Sequence, residues 1–143
     1  MSRKRHRWTI VAVIVVCSGC SPTARSLERY LDQHGGLRNA ELVTDVIVFD
    51  DGDIPSGTTI EVPKELQASL ISELAASKIE SEPRAAWQYG GELRLITADG
   101  SEAAVYFFQP VGPFRWDNEP FVGNLPTLEK ILRDWPARGN AMP

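Results

Sequence analysis

Cysteine and histidine are scarce in this sequence of 143 residues, and their scarcity limits the chemistry available to it. Both cysteines, Cys17 and Cys20, lie within the first 20 residues. The chain beyond residue 20 therefore has no disulfide, no thiolate nucleophile and no soft ligand for a structural zinc site. His34 is the only histidine in that part, so a catalytic arrangement of serine, histidine and aspartate would have to use it. We assign no metal and no cofactor.

Basic residues are also scarce once the first few positions are passed. Four of the 15 lysine and arginine residues lie within the first seven positions, which leaves 11 basic against 19 acidic residues after residue 20, a net charge of −8. A surface with that charge repels phosphate groups, so we expect no nucleic-acid partner. The same repulsion disfavours adhesion of the protein surface itself to anionic headgroups.

The apolar run near the start is too short to span a bilayer, which takes about 20 residues. It extends from Trp8 to Val16 and follows the basic positions 3–7. The small residues Ser18 and Gly19 then lead to Cys20. A basic, then apolar, then small-residue order is typical of a secretory signal peptide.

The segment resembles the lipobox of bacterial lipoproteins, in which small residues precede an acylated cysteine. Ser18 and Gly19 match that pattern, whereas Cys17 stands where leucine is usual. The resemblance implies cleavage before Cys20 and its acylation by several chains, which together anchor the protein stably in a membrane. Ser21, rather than aspartate, follows the cysteine, which implies the outer membrane where the organism has one. The alternatives are an ordinary secretory signal cut nearby or an uncleaved anchor.

The rest of the chain has the length of one domain. We assign 1–20 to the signal peptide, 21–40 to a tether with a short helix, 41–136 to a single α+β domain and 137–143 to a disordered tail. Apolar patterns predict strands at 42–49, 58–62, 92–97 and 102–109, a weaker pair at 114–116 and 120–122, and helices at 63–80 and 125–135. Pro136 should end the last helix, and Gly90-Gly91 is interpreted as a turn or helix stop.

The order is therefore β-β-α-β-β-(β)-α after a short N-terminal helix. Because the strands are joined by short turns, we expect an α+β fold with a mainly antiparallel sheet of four to five strands and two helices packed on one face.

The register of the hairpin at 92–109 stays open. With a two-residue turn of Asp99 and Gly100, Phe107 lies opposite the core. With a three-residue turn and a glycine bulge, the pairing shifts by one residue, so that Phe107 enters the core while Tyr106 and Phe108 move to the other face. In both registers a large ring lies on the face opposite the core.

Aromatic side chains suggest a partner-contacting surface on that second face. Exposed aromatic rings beside an arginine are typical anchors of protein interfaces. The alternative is a second core, in which a helix or loop covers the rings. The candidate contact residues are Arg94, Tyr106, Phe107, Phe108 and Trp116.

Asp50, Asp51 and Asp53 form an acidic cluster that could bind a hard cation or supply paired carboxylates to a small envelope hydrolase. Aspartate and Gly52 are also typical of a solvated turn, which is our interpretation. We expect a lipid-anchored cell-envelope protein whose domain, outside the cytoplasm, binds an envelope partner without being an enzyme. The hydrolase, or an accessory of an envelope complex, is the alternative.

Overall fold

A computed structural model describes residues 23–50, 52–80 and 87–141. These residues form three helices and one seven-stranded antiparallel sheet, which confirms the α+β class. The predicted signal peptide and Cys20 lie outside the described residues. Within the described ranges, no helix combines the length and the hydrophobicity of a membrane span.

The helices and strands have the following bounds. The helices are α1 (Arg25–Gln33), α2 (Lys64–Ala75) and α3 (Pro126–Ala141), and the strands are β1 (Leu37–Thr44), β2 (Thr59–Glu61), β3 (Lys78–Ile79), β4 (Gln88–Thr97), β5 (Glu102–Gln109), β6 (Pro113–Trp116) and β7 (Glu119–Val122). Across the sheet the strand order is β2-β1-β4-β5-β6-β7-β3.

All three helices pack against one face of the sheet, which we call the inner face. Residues of this face alternate along the strands with residues of the opposite, outer face, as the two-residue period of a strand requires. The leucines of α2 recur at every fourth position and so fall on one side of that helix. The shared core includes Leu27, Leu31, Leu42, Ile60, Leu70, Leu74, Leu93, Leu95, Val105, Phe107, Phe114, Phe121, Leu128, Ile131 and Leu132.

The β4–β5 hairpin adopts the register with the three-residue turn. Leu95 pairs with Ala103 and Leu93 with Val105. Gly100 has a φ of 89°, the positive value that the glycine bulge needs. Phe107 is consequently 1% exposed, and its ring belongs to the core rather than to a partner-contacting surface.

Gly90 and Gly91 form a bulge within β4, so their interpretation as a turn or helix stop is wrong. The register shifts between Tyr89 and Gly91. A Cβ atom on Gly91 would lie 2.6 Å from the carbonyl oxygen of Val43 and 2.9 Å from the ring of Phe107. The φ of Gly91 is 149°. Glycine is required there because the Phe107 ring packs directly on the strand backbone.

Other boundaries also differ from the prediction. The sheet has seven strands rather than four or five, and β1 begins at Leu37 and ends at Thr44 instead of covering 42–49. Beyond β1, a single bridge between Ile47 and Ile54 closes a loop on which Val48 is 69% exposed. Residues 37–40, assigned to the tether, are thus part of the sheet.

The last helix continues past its predicted end at Pro136 to Ala141. A proline inside a helix removes one backbone donor and strains the preceding turn, but the helix extends beyond it here. Residues 137–141, predicted as part of a disordered tail, are helical in the structure, while 142–143 lie outside the described residues.

Candidate functional site

The outer face of the sheet brings together a polar and aromatic group that we call the outer patch, consisting of Glu41, Glu92, Arg94, Tyr106 and Arg115. Arg94 pairs with Glu41 across β1 and β4. Tyr106 pairs with Glu92 on one side and with Arg115 on the other. Directly paired residues share a face of the sheet, so the side chains of the patch are neighbours.

Arg94 lies between two carboxylates without a close contact to either. Its Nη1 is 3.7 Å from Glu41 Oε1, and its Nε is 3.6 Å from Glu92 Oε2. Both distances exceed that of a hydrogen bond, so the carboxylates orient the guanidinium while its N–H donors stay available to another molecule. The Arg94 side chain is 41% exposed.

Aromatic rings extend the outer patch toward the start of β4. Tyr89 pairs with Phe108, and their ring centroids lie 6.3 Å apart, while Trp87 lies 5.6 Å from Phe108. Partial burial, reinforced by the negative charge of Glu92, raises the pKa of Tyr89 above its usual range. The phenol therefore stays neutral at physiological pH and keeps its hydroxyl donor.

The sequence-predicted contact residues do not all lie on this surface. Arg94, Tyr106 and Phe108 are on the outer face, and Tyr106 is 43% exposed. Trp116 instead packs against the core, where its Nε1 donates a hydrogen bond of 3.0 Å to Ser26 Oγ. Trp116 is therefore separated from the outer patch, as is the buried Phe107.

Sequence reasoning missed Tyr89 and Arg115 as members of the exposed surface. Tyr89 precedes the bulge, which changes the alternation of faces along β4. Recognising Gly90-Gly91 as a bulge would have placed Tyr89 opposite the core. Arg115 joins the patch through the pairing of β5 with β6, which the sequence indicated only weakly.

His34, Asp99 and Ser101 meet at the β4–β5 turn, but their geometry does not activate a nucleophile. His34 Nδ1 lies 2.7 Å from Asp99 Oδ2 and 3.2 Å from Ser101 Oγ. A catalytic triad uses the two ring nitrogens separately, one toward the carboxylate and the other toward the hydroxyl. Because Asp99 and Ser101 both contact Nδ1 here, the three residues do not have the geometry of a triad. They instead connect the end of α1 to the turn.

The predicted acidic cluster lies on the loop after β1. Asp50 and Asp53 are exposed there, and Asp51 lies outside the described residues. The backbone N–H of Gly52 donates to the carbonyl of Phe49, as in a tight turn. Within residues 23–50, 52–80 and 87–141, no group of three or more histidine, cysteine or acidic side chains could hold a metal ion.

Two open clefts elsewhere each contain a basic side chain that is engaged within the protein. A cleft of about 420 Å³ between α1 and α2 contains Lys64, whose Nζ donates to the carbonyl of Arg38. A cleft of about 500 Å³ beside α3 contains Arg133, which lies 5.6 Å from the ring centroid of Phe49 and forms an ion pair with Glu129.

No family model matches this chain, and neither a curated protein nor a solved structure matches it.

Proposed function

We propose that this protein is a lipid-anchored lipoprotein of the cell envelope whose α+β domain binds another envelope protein through the outer patch. Support for the anchor comes from the basic, apolar and small-residue order that ends at Cys20. The domain then lies outside the cytoplasm, at the outer membrane where the organism has one. We propose a binding role rather than an enzymatic one.

The observation that carries the binding role is the exposure of the outer patch and of the adjoining ring of Tyr89. Tyr106 is 43% exposed and Tyr89 is 41% exposed, whereas all three helices pack into the core on the inner face. An exposed pair of aromatic rings beside an oriented arginine has the composition of an interface anchor.

The charges around the patch favour a protein partner with a basic rim. Glu41 and Glu92 flank Arg94, and the exposed Glu61 and Glu102 lie on the neighbouring strands. Acidic side chains at the rim favour a partner that presents lysine and arginine opposite them. The arginine at the centre offers donors to backbone carbonyls or carboxylates of that partner.

The substitution Tyr106→Ser tests the binding role. Removing an anchor ring costs about 2 kcal/mol or more of binding free energy, so co-purification after mild detergent extraction should fall roughly 30-fold. Val48→Ser, at a more exposed apolar residue on a separate loop, is the matched control and should leave the yield unchanged. If Tyr106→Ser retains both its partner and its stability, the patch is not the binding surface.

The substitution Cys20→Ser tests the anchor. The variant loses the thiol that would carry the lipid, so it should leave the membrane fraction and lack the mass of the acyl chains. We expect the wild-type protein in the membrane fraction of the same cells. A variant that remains in the membrane with the wild-type pattern of processing would refute acylation at Cys20.

A further inference from the structure

The chain enters the folded domain at one edge of the sheet, directly after the predicted lipid site. Thr23 forms an antiparallel bridge with Lys78 of β3. The backbone N–H of Ala24 donates a hydrogen bond of 3.0 Å to the carbonyl of Ser77, and Ala24 and Leu27 are fully buried. Thr23 is therefore fixed to the domain and does not extend the tether.

The short distance along the chain limits where the lipid can be. Three residues after Cys20 the chain reaches Thr23, so the two Cα atoms lie at most about 11 Å apart even with extended backbone. The sheet has seven strands, and six spacings of about 4.8 Å give it a width of roughly 29 Å. A lipid on Cys20 can therefore lie near β3 but not near β2, at the opposite edge.

The exposed side chains next to the point where the chain enters the sheet are basic and apolar. Lys78 pairs with Val122 of β7, and both side chains are exposed on the outer face. Together with Thr23, these residues form what we call the anchor edge. The tether, rather than overall charge, determines the orientation, because the net charge of the chain after residue 20 is negative.

From this geometry we infer that the anchor edge faces the phospholipid headgroups of the membrane and that β2 is held away from them. The inference rests on the proposed acylation of Cys20. In the inferred orientation, the domain is attached by one edge of its sheet, through a tether that is too short to let the domain turn over.

A fluorescence experiment on the acylated protein tests the orientation. Cys20 is occupied by lipid and Cys17 is removed with the leader, so an introduced cysteine is the only free thiol. Val122→Cys carries a fluorophore at the anchor edge, and Glu61→Cys on β2 is the matched control, since both residues are exposed. Each protein is reconstituted into phosphatidylcholine vesicles that contain a headgroup spin-labelled lipid.

We expect the spin label to quench the probe at residue 122 at least twice as strongly as the probe at residue 61. Inserting ten glycine and serine residues between Pro22 and Thr23 should remove most of that difference, because a flexible linker of this length has a root-mean-square reach of about 17 Å or more. Equal quenching at the two positions without the insertion would overturn the orientation.

Mass spectrometry of the same samples separates the two proposals. An acylated protein with equal quenching contradicts the orientation alone and leaves the anchor in place. A protein without acyl chains contradicts the anchor and, with it, the orientation. A difference in quenching that persists unchanged after the linker insertion shows that something other than the tether orients the domain, which also overturns the inference.

Discussion

The carboxylate of Asp99 shows how a single side chain joins two parts of this fold. It accepts a hydrogen bond of 2.7 Å from Thr97 Oγ1 and one of 2.9 Å from the backbone N–H of Ser101, and it also contacts His34. These hydrogen bonds, with that of Thr97 the largest contribution, hold the pKa of Asp99 well below its usual range. The charged form of Asp99 thus stabilises the turn and its contact with the end of α1.

Replacing Asp99 with asparagine should change the acid sensitivity of the fold. A carboxyl group whose pKa is lower in the folded protein stabilises it above the unfolded pKa, near 3.9, and this stabilisation is lost as the pH falls through the folded pKa. We therefore expect the unfolding temperature of the wild type to fall more steeply below pH 4 than that of Asp99→Asn.

Thermal unfolding followed by circular dichroism between pH 2 and 7 measures this effect. Asp53→Asn, at an exposed position on the loop after β1, is the control and should follow the wild-type curve. Parallel curves for the wild type and Asp99→Asn would show that the carboxylate of Asp99 has no such role.

At the scale of elements, the start of α3 depends on a side chain from α2. The backbone N–H of Thr127 donates to Glu73 Oε1 at 2.9 Å, and Thr127 Oγ1 donates to Glu73 Oε2 at 2.6 Å. The first N–H groups of a helix have no acceptor within the helix, and a negative charge near them is favourable. Glu73 therefore serves as a cap for α3 supplied by another helix.

Glu73→Ala should lower the free energy of unfolding by about 1–2 kcal/mol, the usual effect of losing a capping acceptor. Denaturant unfolding measures the change. Glu65→Ala, in the same helix and exposed, is the matched control and should alter the stability by less than about 0.5 kcal/mol. Equal effects of the two substitutions would mean that the Glu73 cap adds nothing to the free energy of unfolding beyond what an exposed glutamate adds.

Some elements could be predicted from the sequence because their signals are local. The leucine spacing of α2 and the Asp99-Gly100 turn between β4 and β5 depend only on neighbouring residues. The structure accordingly has a helix at Lys64–Ala75 and a hairpin of β4 with β5. The face of the sheet on which Phe107 lies depends on the turn type, which the sequence left open. In the structure, contacts of the Asp99 side chain with Thr97 and Ser101 accompany the three-residue turn.

Other features could not be predicted because they depend on pairing between distant parts of the chain. The first half of β1 has few β-branched residues and is a strand because it pairs with β4. The two residues of β3 are a strand because they pair with β7, which lies more than 40 residues further along the chain. The outer patch has the same origin, since Arg94 meets Glu41 only after β1 and β4 have paired.

At the scale of the whole molecule, the sheet has three distinct surfaces: a core-facing inner face, an outer face with the patch, and the anchor edge. Tyr106 is on β5, three strand spacings from β3, or roughly 14 Å. If the anchor edge faces the membrane, a protein bound at Tyr106 lies close to the bilayer. We therefore expect the partner to be membrane-associated itself.

Site-specific photo-cross-linking in intact cells tests whether the outer patch binds a partner. A benzophenone amino acid replaces Tyr106 in one strain and Val48 in another, and circular dichroism confirms that both purified variants fold. We expect one discrete cross-linked envelope protein at position 106, none at position 48, and loss of the product when Arg94→Ser is added to the first strain. No product at position 106, or the same products at both positions, would contradict the claim that the outer patch is a binding surface.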